Sequence, residues 1–293
     1  MKNPLIKAAL CSFITALSVN YSAALSPADT SKTILYVSTD KEEINKRVTR
    51  EANVIYPNIF SGNEKESIDY VEKFSVARKE YLVRTFKRSK KFFPKAVSIL
   101  KKHNIPAEFA VLLALESGFN ANAVSGAGAV GYWQIMDEVA KEYGLRIAEK
   151  ENIATKKKKA FVKEKSTHKK NKAQADDRKN FIKSTYAAAR YLKDRSRNLN
   201  NDWLLIAASY NCGVGNVWNA MERSRKKNPD FWDIKNYLPA ETRAYVMNFI
   251  TLNVIFKNYE NFAKNHLYFK QVTINDVEKG VPSTEADLST NDY

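Results

Sequence analysis

The chain has 293 residues, with 48 Lys and Arg against 32 Asp and Glu, for a formal charge of +16. Its hydrophobic content of 44% is enough for a packed core in one or two domains and excludes a disordered chain, while the charge implies an anionic partner. Two cysteines, Cys11 and Cys212, and three scattered histidines, His103, His168 and His266, exclude a disulfide framework and leave no ligand or triad spacing for a metal site or a cysteine nucleophile.

Lys2 and Lys7 precede an apolar run from Ala8 to Val19 that ends near Ser22-Ala-Ala24, so residues 1–24 read as a secretory signal peptide. The run is shorter than the roughly 20 apolar residues a transmembrane helix needs. Cys11 lies inside it, behind Leu10, which fits a lipoprotein cleavage site poorly. Removing the segment leaves a charge of +14, because it holds two lysines and no acid. Residues 25–62 show no clear period and read as an N-terminal arm.

From Glu64 to Phe93 the apolar positions Ile68, Val71, Phe74, Tyr81, Leu82 and Phe86 recur at helical spacing, which predicts one long or two short amphipathic helices, with Pro94 opening the next. Pro106 to Leu115 is a nearly unbroken apolar run closed by Gly118, a buried helix with Glu116 at its end. Phe109, Leu112 and Leu113 share a face with Glu116, and a carboxyl held on such a wall is expected to stay protonated near neutral pH. Read alone, Glu116 is more simply a carboxylate that caps the core and points to solvent. Gly126, Gly128 and Gly131 are expected to shape the loop that follows, with Trp133 a core wedge.

Lysines crowd Thr155 to Ala173, either a solvated charged segment or a docking element. Ser184 to Leu192 reads as an alanine-rich helix, Trp203 to Tyr210 as one capped by Asp202, and a further helix opens at Pro239 and runs through Ile250. Phe269 to Ile274 alternates as a strand would, and the tail from Val277 is polar.

The motifs Leu115-Glu-Ser-Gly-Phe119, Gly128-Ala-Val-Gly-Tyr-Trp-Gln-Ile-Met136 with Tyr143-Gly-Leu145, Asp177-Arg178 with Ser184-Thr-Tyr-Ala-Ala-Ala-Arg-Tyr-Leu192, Ala208-Ser-Tyr-Asn-Cys-Gly-Val-Gly215 and Leu238-Pro-Ala-Glu-Thr-Arg-Ala-Tyr-Val246 come in one order along the chain. In that order the chain resembles the soluble-lytic-transglycosylase (SLT) domain family, in particular its membrane-bound D-type branch, without the LysM modules many of those relatives carry. The resemblance implies a mostly α, goose-type lysozyme-like catalytic domain over residues 63–262, interrupted by the Lys-rich insertion at about 150–175 and followed by a C-terminal tail over 263–293.

It also implies a peptidoglycan lytic transglycosylase with no cofactor. Glu116 is the family's single catalytic acid, protonating the oxygen between N-acetylmuramic acid and N-acetylglucosamine and then removing the proton from the muramyl C6 hydroxyl to close a 1,6-anhydro ring. Carried over residue by residue, Ser117, Gln134, Tyr210, Asn211 and Glu241 become the substrate-binding set, Tyr210 with a hydroxyl that can hold the catalytic carboxyl. Without the family, Tyr210 reads as a core tyrosine and Glu241 as a first-turn helix acid. Cys212 stands where the family has a small residue and reads as packing. Asp137 replaces a proline at a helix start, which an aspartate suits equally.

The expected partners are peptidoglycan glycan strands, with an anionic wall or membrane surface for the Lys-rich insertion; nucleic acid is not expected outside the cytoplasm. The expected location is the periplasm or cell envelope, with secretion open. A muramidase using the same acid, or a wall-binding scaffold, are the alternatives.

Overall fold

Arg78 breaks the amphipathic pattern into α1 (Glu64–Ala77) and α2 (Lys79–Lys102) in the computed structural model, which describes residues 48–147, 175–274 and 276. Val71 and Leu82 are fully buried, and Ile68 and Phe74 pack at the core's edge. The expectation that Pro94 opens a new helix is corrected: Pro94 lies inside α2. A proline there removes an intrahelical hydrogen bond and crowds the preceding turn. Packing on both sides offsets that cost. Phe92 stacks on Phe119 at 5.1 Å, Phe93 meets Phe256 at 5.9 Å, and Ala96, Ile99 and Leu100 are buried.

The apolar run after Pro106 winds first as a 3₁₀ turn, Ala107–Val111, and then as α3 (Leu112–Ser117). Helix α4 (Asp137–Glu142) follows the glycine loop. Beyond residues 148–174, where the Lys-rich insertion lies outside the described residues, come a 3₁₀ turn at Asp177–Lys179 and α5 (Phe181–Asn198). Next are α6 (Trp203–Cys212), capped by the Asp202 carboxylate on the Leu204 and Leu205 amides, α7 (Val214–Ser224), α8 (Phe231–Ile234), α9 (Ala240–Lys257) and α10 (Tyr259–Ala263).

Helices α6 and α9 are apolar around most of their circumference, so they form the centre of the core. Leu204 to Ser209 on α6 are all buried, as are Val246, Phe249, Ile250, Leu252, Val254 and Ile255 on α9. Around them pack α1, the apolar run ending in α3, α5 through Ala187 to Ala189, and α7. The mostly α expectation holds.

The described part of the arm is docked. β1 (Val48–Arg50) pairs antiparallel with β2 (Val272–Thr273), Phe60 is fully buried against Phe249 at 5.5 Å, and the Asn258 side chain bonds Ile55 at both its amide and its carbonyl. The signal segment and the tail beyond Asp276 lie outside the described residues. Among the described residues no helix is long and apolar enough to cross a membrane.

Candidate active site

Glu116 occupies the last turn of α3, above the fully buried Phe109, Leu112 and Leu113, as its spacing predicts. Gly118 and Phe119 then turn the chain sharply, with φ of 55° and 66°. Gly118 carries the left-handed angle without strain. Phe119 does so while buried against Phe92.

The loop that returns past Glu116 is held from several sides. Ser117 Oγ donates to the Tyr132 carbonyl at 2.9 Å and accepts from the Asn120 amide at 3.1 Å, tying the helix end to the loop. Gln134, buried and at φ 46°, donates from Nε2 to the carbonyls of Ala123 and Gly131. Trp133 is fully buried and donates from Nε1 to Thr185 Oγ1 at 2.9 Å, the core wedge its sequence suggests. Gly131 has φ of 84°, and a Cβ there would stand 2.2 Å from the Arg178 carbonyl oxygen, so only glycine lets the two strands of chain meet.

Arg178 completes the clamp. Its guanidinium is buried, donates to the Ile135 carbonyl, and pairs with Asp137 and with Asp176, the latter at 2.7 Å. Asp137 is thus both the first residue of α4 and an anchor for Arg178. The neighbouring Asp177 joins Arg146 and Lys183 at 3.0 and 2.8 Å, and the Arg146 guanidinium beside it, followed by the Lys183 ammonium, holds its carboxyl well below the usual carboxylate range. The Asp-Arg motif is therefore structural: Asp177 ties Arg146 to Lys183, and Arg178 holds the loop beside Glu116.

The ends of α6 and α9 close the remaining sides. The Tyr245 hydroxyl on α9 donates to Glu116 Oε1 at 2.5 Å. One turn earlier, Thr242 Oγ1 donates to Asn211 Oδ1 at 2.7 Å. The Tyr210 hydroxyl donates to the Trp133 carbonyl at 2.7 Å and so secures the loop. Behind it Tyr191 meets the Tyr210 ring edge-on at 5.6 Å, and burial, ahead of any neighbouring charge, pushes the Tyr191 hydroxyl up. Cys212 is buried, and that burial raises its thiol as well, in keeping with a packing role. Glu241 stands exposed in the first turn of α9.

The fold thus gathers Glu116, Ser117, Gln134, Tyr210 and Asn211, with Glu241 on the exposed start of α9. Tyr245 and Thr242 were missed as site residues, although both lie within the Leu238 to Val246 motif and their i, i+3 spacing puts them on one helix face. Among the described residues no group of three or more His, Cys, Asp or Glu is placed to hold a metal ion.

The sequence model of the transglycosylase SLT domain matches residues 96–161 and 159–232. The chain is 33% identical over 165 residues to membrane-bound lytic murein transglycosylase D of Escherichia coli K12, covering 56% of this chain and 31% of that protein. It is 28% identical over 140 residues to a putative tributyltin chloride resistance protein of Alteromonas sp. M-1, covering 47% and 56% respectively. The chain therefore spans about a third of the length of the first relative and just over half of the second. Among solved structures it is similar to an inactive mutant of lytic transglycosylase Slt from Pseudomonas aeruginosa, at 21% identity and a TM-score of 0.42 over 62% of this chain and 26% of that one. It is also similar to the 70 kDa soluble lytic transglycosylase in complex with bulgecin A, at 16% identity and a TM-score of 0.40 over 74% and 38%. The helical architecture agrees with the mostly α fold expected from the motifs, and the model of the transglycosylase SLT domain matches just under half of the chain.

Proposed function

We propose that this protein is an exported lytic transglycosylase that cleaves peptidoglycan glycan strands at the bond between N-acetylmuramic acid and N-acetylglucosamine. The observation that carries the reading is the carboxyl of Glu116, seated on an apolar wall and hydrogen-bonded by Tyr245, in a domain matched to the SLT family.

In this reading Glu116 donates its proton to the bridging oxygen as the bond breaks, and the N-acetyl group of the substrate stabilises the cationic centre. The Glu116 carboxylate then takes the proton of the muramyl C6 hydroxyl, whose oxygen closes the 1,6-anhydro ring. One carboxyl serves as acid and then base, so no paired carboxylate at a fixed separation is required, unlike the usual glycosidase arrangement. Tyr245 orients the carboxyl in both states, because its hydroxyl can donate to the anion or accept from the acid. Thr242 holds Asn211 by its amide oxygen, which turns the amide NH₂ into a donor for an N-acetyl carbonyl or a hydroxyl. Gln134, Ser117 and Tyr210 keep the loop wall in register, and Glu241 accepts from sugar hydroxyls at the rim.

Mass spectrometry of fragments released from purified peptidoglycan tests this directly. Muropeptides ending in anhydro-muramic acid, absent with Glu116→Gln, are the expected products. Reducing-end products would make the protein a muramidase, and no release by a folded, wall-binding chain would make it a scaffold.

A further inference from the structure

Tyr210 and Asn211 end α6 at the candidate active site, and Trp203 opens the same helix about 12 Å away, at about 1.5 Å per residue. A cleft of about 600 Å³ lies at that far end, where the starts of α1, α6 and α8 meet. It shares no residue with the set gathered around Glu116. Its size suits about two sugar rings. Trp203 and Trp232 border it, both half-buried, so each indole keeps part of its surface open to a ligand. Both are held in place. Trp232 Nε1 donates to Asn63 Oδ1 at 2.5 Å, and its ring meets the fully buried Phe231 edge-on at 5.1 Å, with the Lys235 ammonium over it at 4.9 Å. Trp203 is set by Phe109, edge-on at 5.6 Å. Fixed indoles of this kind offer a large amphipathic contact surface.

Carboxylates line the rest of the cleft, and most are already committed. Asp202 accepts the Leu204 and Leu205 amides through one oxygen, Asp230 accepts the Asp233 amide through one of its own, and Asp233 pairs with Lys226. They present single acceptor oxygens and not a pool of uncompensated charge. Glu66 is exposed, and among the described residues no cation pairs with it. Asn63 and Asn201 add amides that both donate and accept. An anion is repelled by this lining, and an apolar ligand would leave its polar groups unpaired. Acceptor oxygens, amide groups and aromatic surface together match the hydroxyls, the N-acetyl amide and the CH face of a sugar ring.

We propose that this cleft is a second saccharide site, separate from the site of bond cleavage, which takes an uncharged stretch of N-acetylhexosamine glycan between Trp203 and Trp232. It gives the protein a hold on a strand apart from the groove at Glu116. The ligand follows from the cleft alone, whatever reaction Glu116 performs.

The test is calorimetric and uses the full chain with Glu116→Gln, so that no cleavage intervenes. The probe is chitotetraose, a neutral and soluble N-acetylglucosamine oligomer, with spermidine titrated in parallel. Trp232→Ala removes one aromatic wall, and Glu66→Lys puts a long cation into the cleft from an exposed position. Each is expected to weaken one class of bound tetramer about 10-fold or more and to leave any binding at the Glu116 groove as it was. Glu66→Lys serves if Trp232→Ala fails to fold. Isotherms that neither substitution changes, no binding of the tetramer, or binding of spermidine in its place would overturn the proposal. Absence of anhydro products from the unsubstituted chain would end the transglycosylase reading and leave these titrations standing.

Discussion

Tyr245 and Glu116 are 129 positions apart in the chain, and their side chains meet at 2.5 Å, phenol hydroxyl on carboxyl oxygen. The contact ties α9, the central helix of the core, to the end of α3. It makes the position of the Glu116 carboxyl a property of the whole fold.

Tyr245→Phe removes that hydroxyl and little volume. It is expected to lower turnover of peptidoglycan about 10- to 100-fold, the range for one hydrogen bond to a charged group, with folding intact by circular dichroism. Glu116→Gln is expected to cost at least about 100-fold, because it removes the proposed proton donor. A Tyr245→Phe variant as active as the parent would show that the bond does not position the acid.

Gly131→Ala forces a Cβ to within 2.2 Å of the Arg178 carbonyl oxygen, at a φ of 84°. Backbone must shift on one side or the other. The expected cost is about 1–3 kcal/mol, seen as a lower melting temperature, together with reduced turnover, because the displaced loop carries Gln134 and the carbonyls that Ser117 and Tyr210 hold. An unchanged melting temperature would contradict the close approach.

Asp177 is a carboxylate depressed by Arg146 and Lys183, so the sign of its linkage is definite. Its stabilisation is fully present above the unfolded value of about 4 and is lost as the pH falls through its lower folded value. Asp177→Asn is therefore expected to melt lower than the parent at pH 6, with the difference shrinking steadily below about pH 4. A difference independent of pH would assign the loss to packing and not to the ion pairs.

Asp202 behaves in the opposite sense. Burial raises its carboxyl, outweighing the Leu205 and Leu204 amides that lower it. A raised folded value means that holding the charge costs stability once the pH exceeds it. Asparagine caps a helix about as well as aspartate, so Asp202→Asn is expected to be neutral or stabilising at pH 7, while Asp202→Ala loses about 1 kcal/mol with the cap. Equal destabilisation by both, measured by denaturant unfolding, would refute this.

Where the physics is local, the residues could be read directly from the chain. Asp202 caps α6 because its own carboxylate reaches amides two and three residues on, and Gly118 ends α3 because it alone accepts the left-handed turn there without cost. Glu116 lands on an apolar wall because helical spacing aligns it with Leu112 and Leu113. The ordered motifs single out Ser117, Tyr210 and Asn211, which lie in the last turns of α3 and α6, and Gln134 in the loop between α3 and α4.

Tertiary packing decided the rest. That Tyr245 meets the Glu116 carboxyl depends on how α9 is rotated about its axis, and α9 is apolar around most of its circumference, so its own sequence leaves that rotation open. Pro94 stays inside α2 because aromatic contacts with Phe119 and Phe256, from segments distant in the chain, outweigh a lost hydrogen bond. Arg178 reads as a motif residue along the chain, and only the approach of Gly131 and Asp137 shows that it clamps the loop. Local spacing determined which groups are present; long-range packing, whose geometry is shared among many side chains, determined which of them touch.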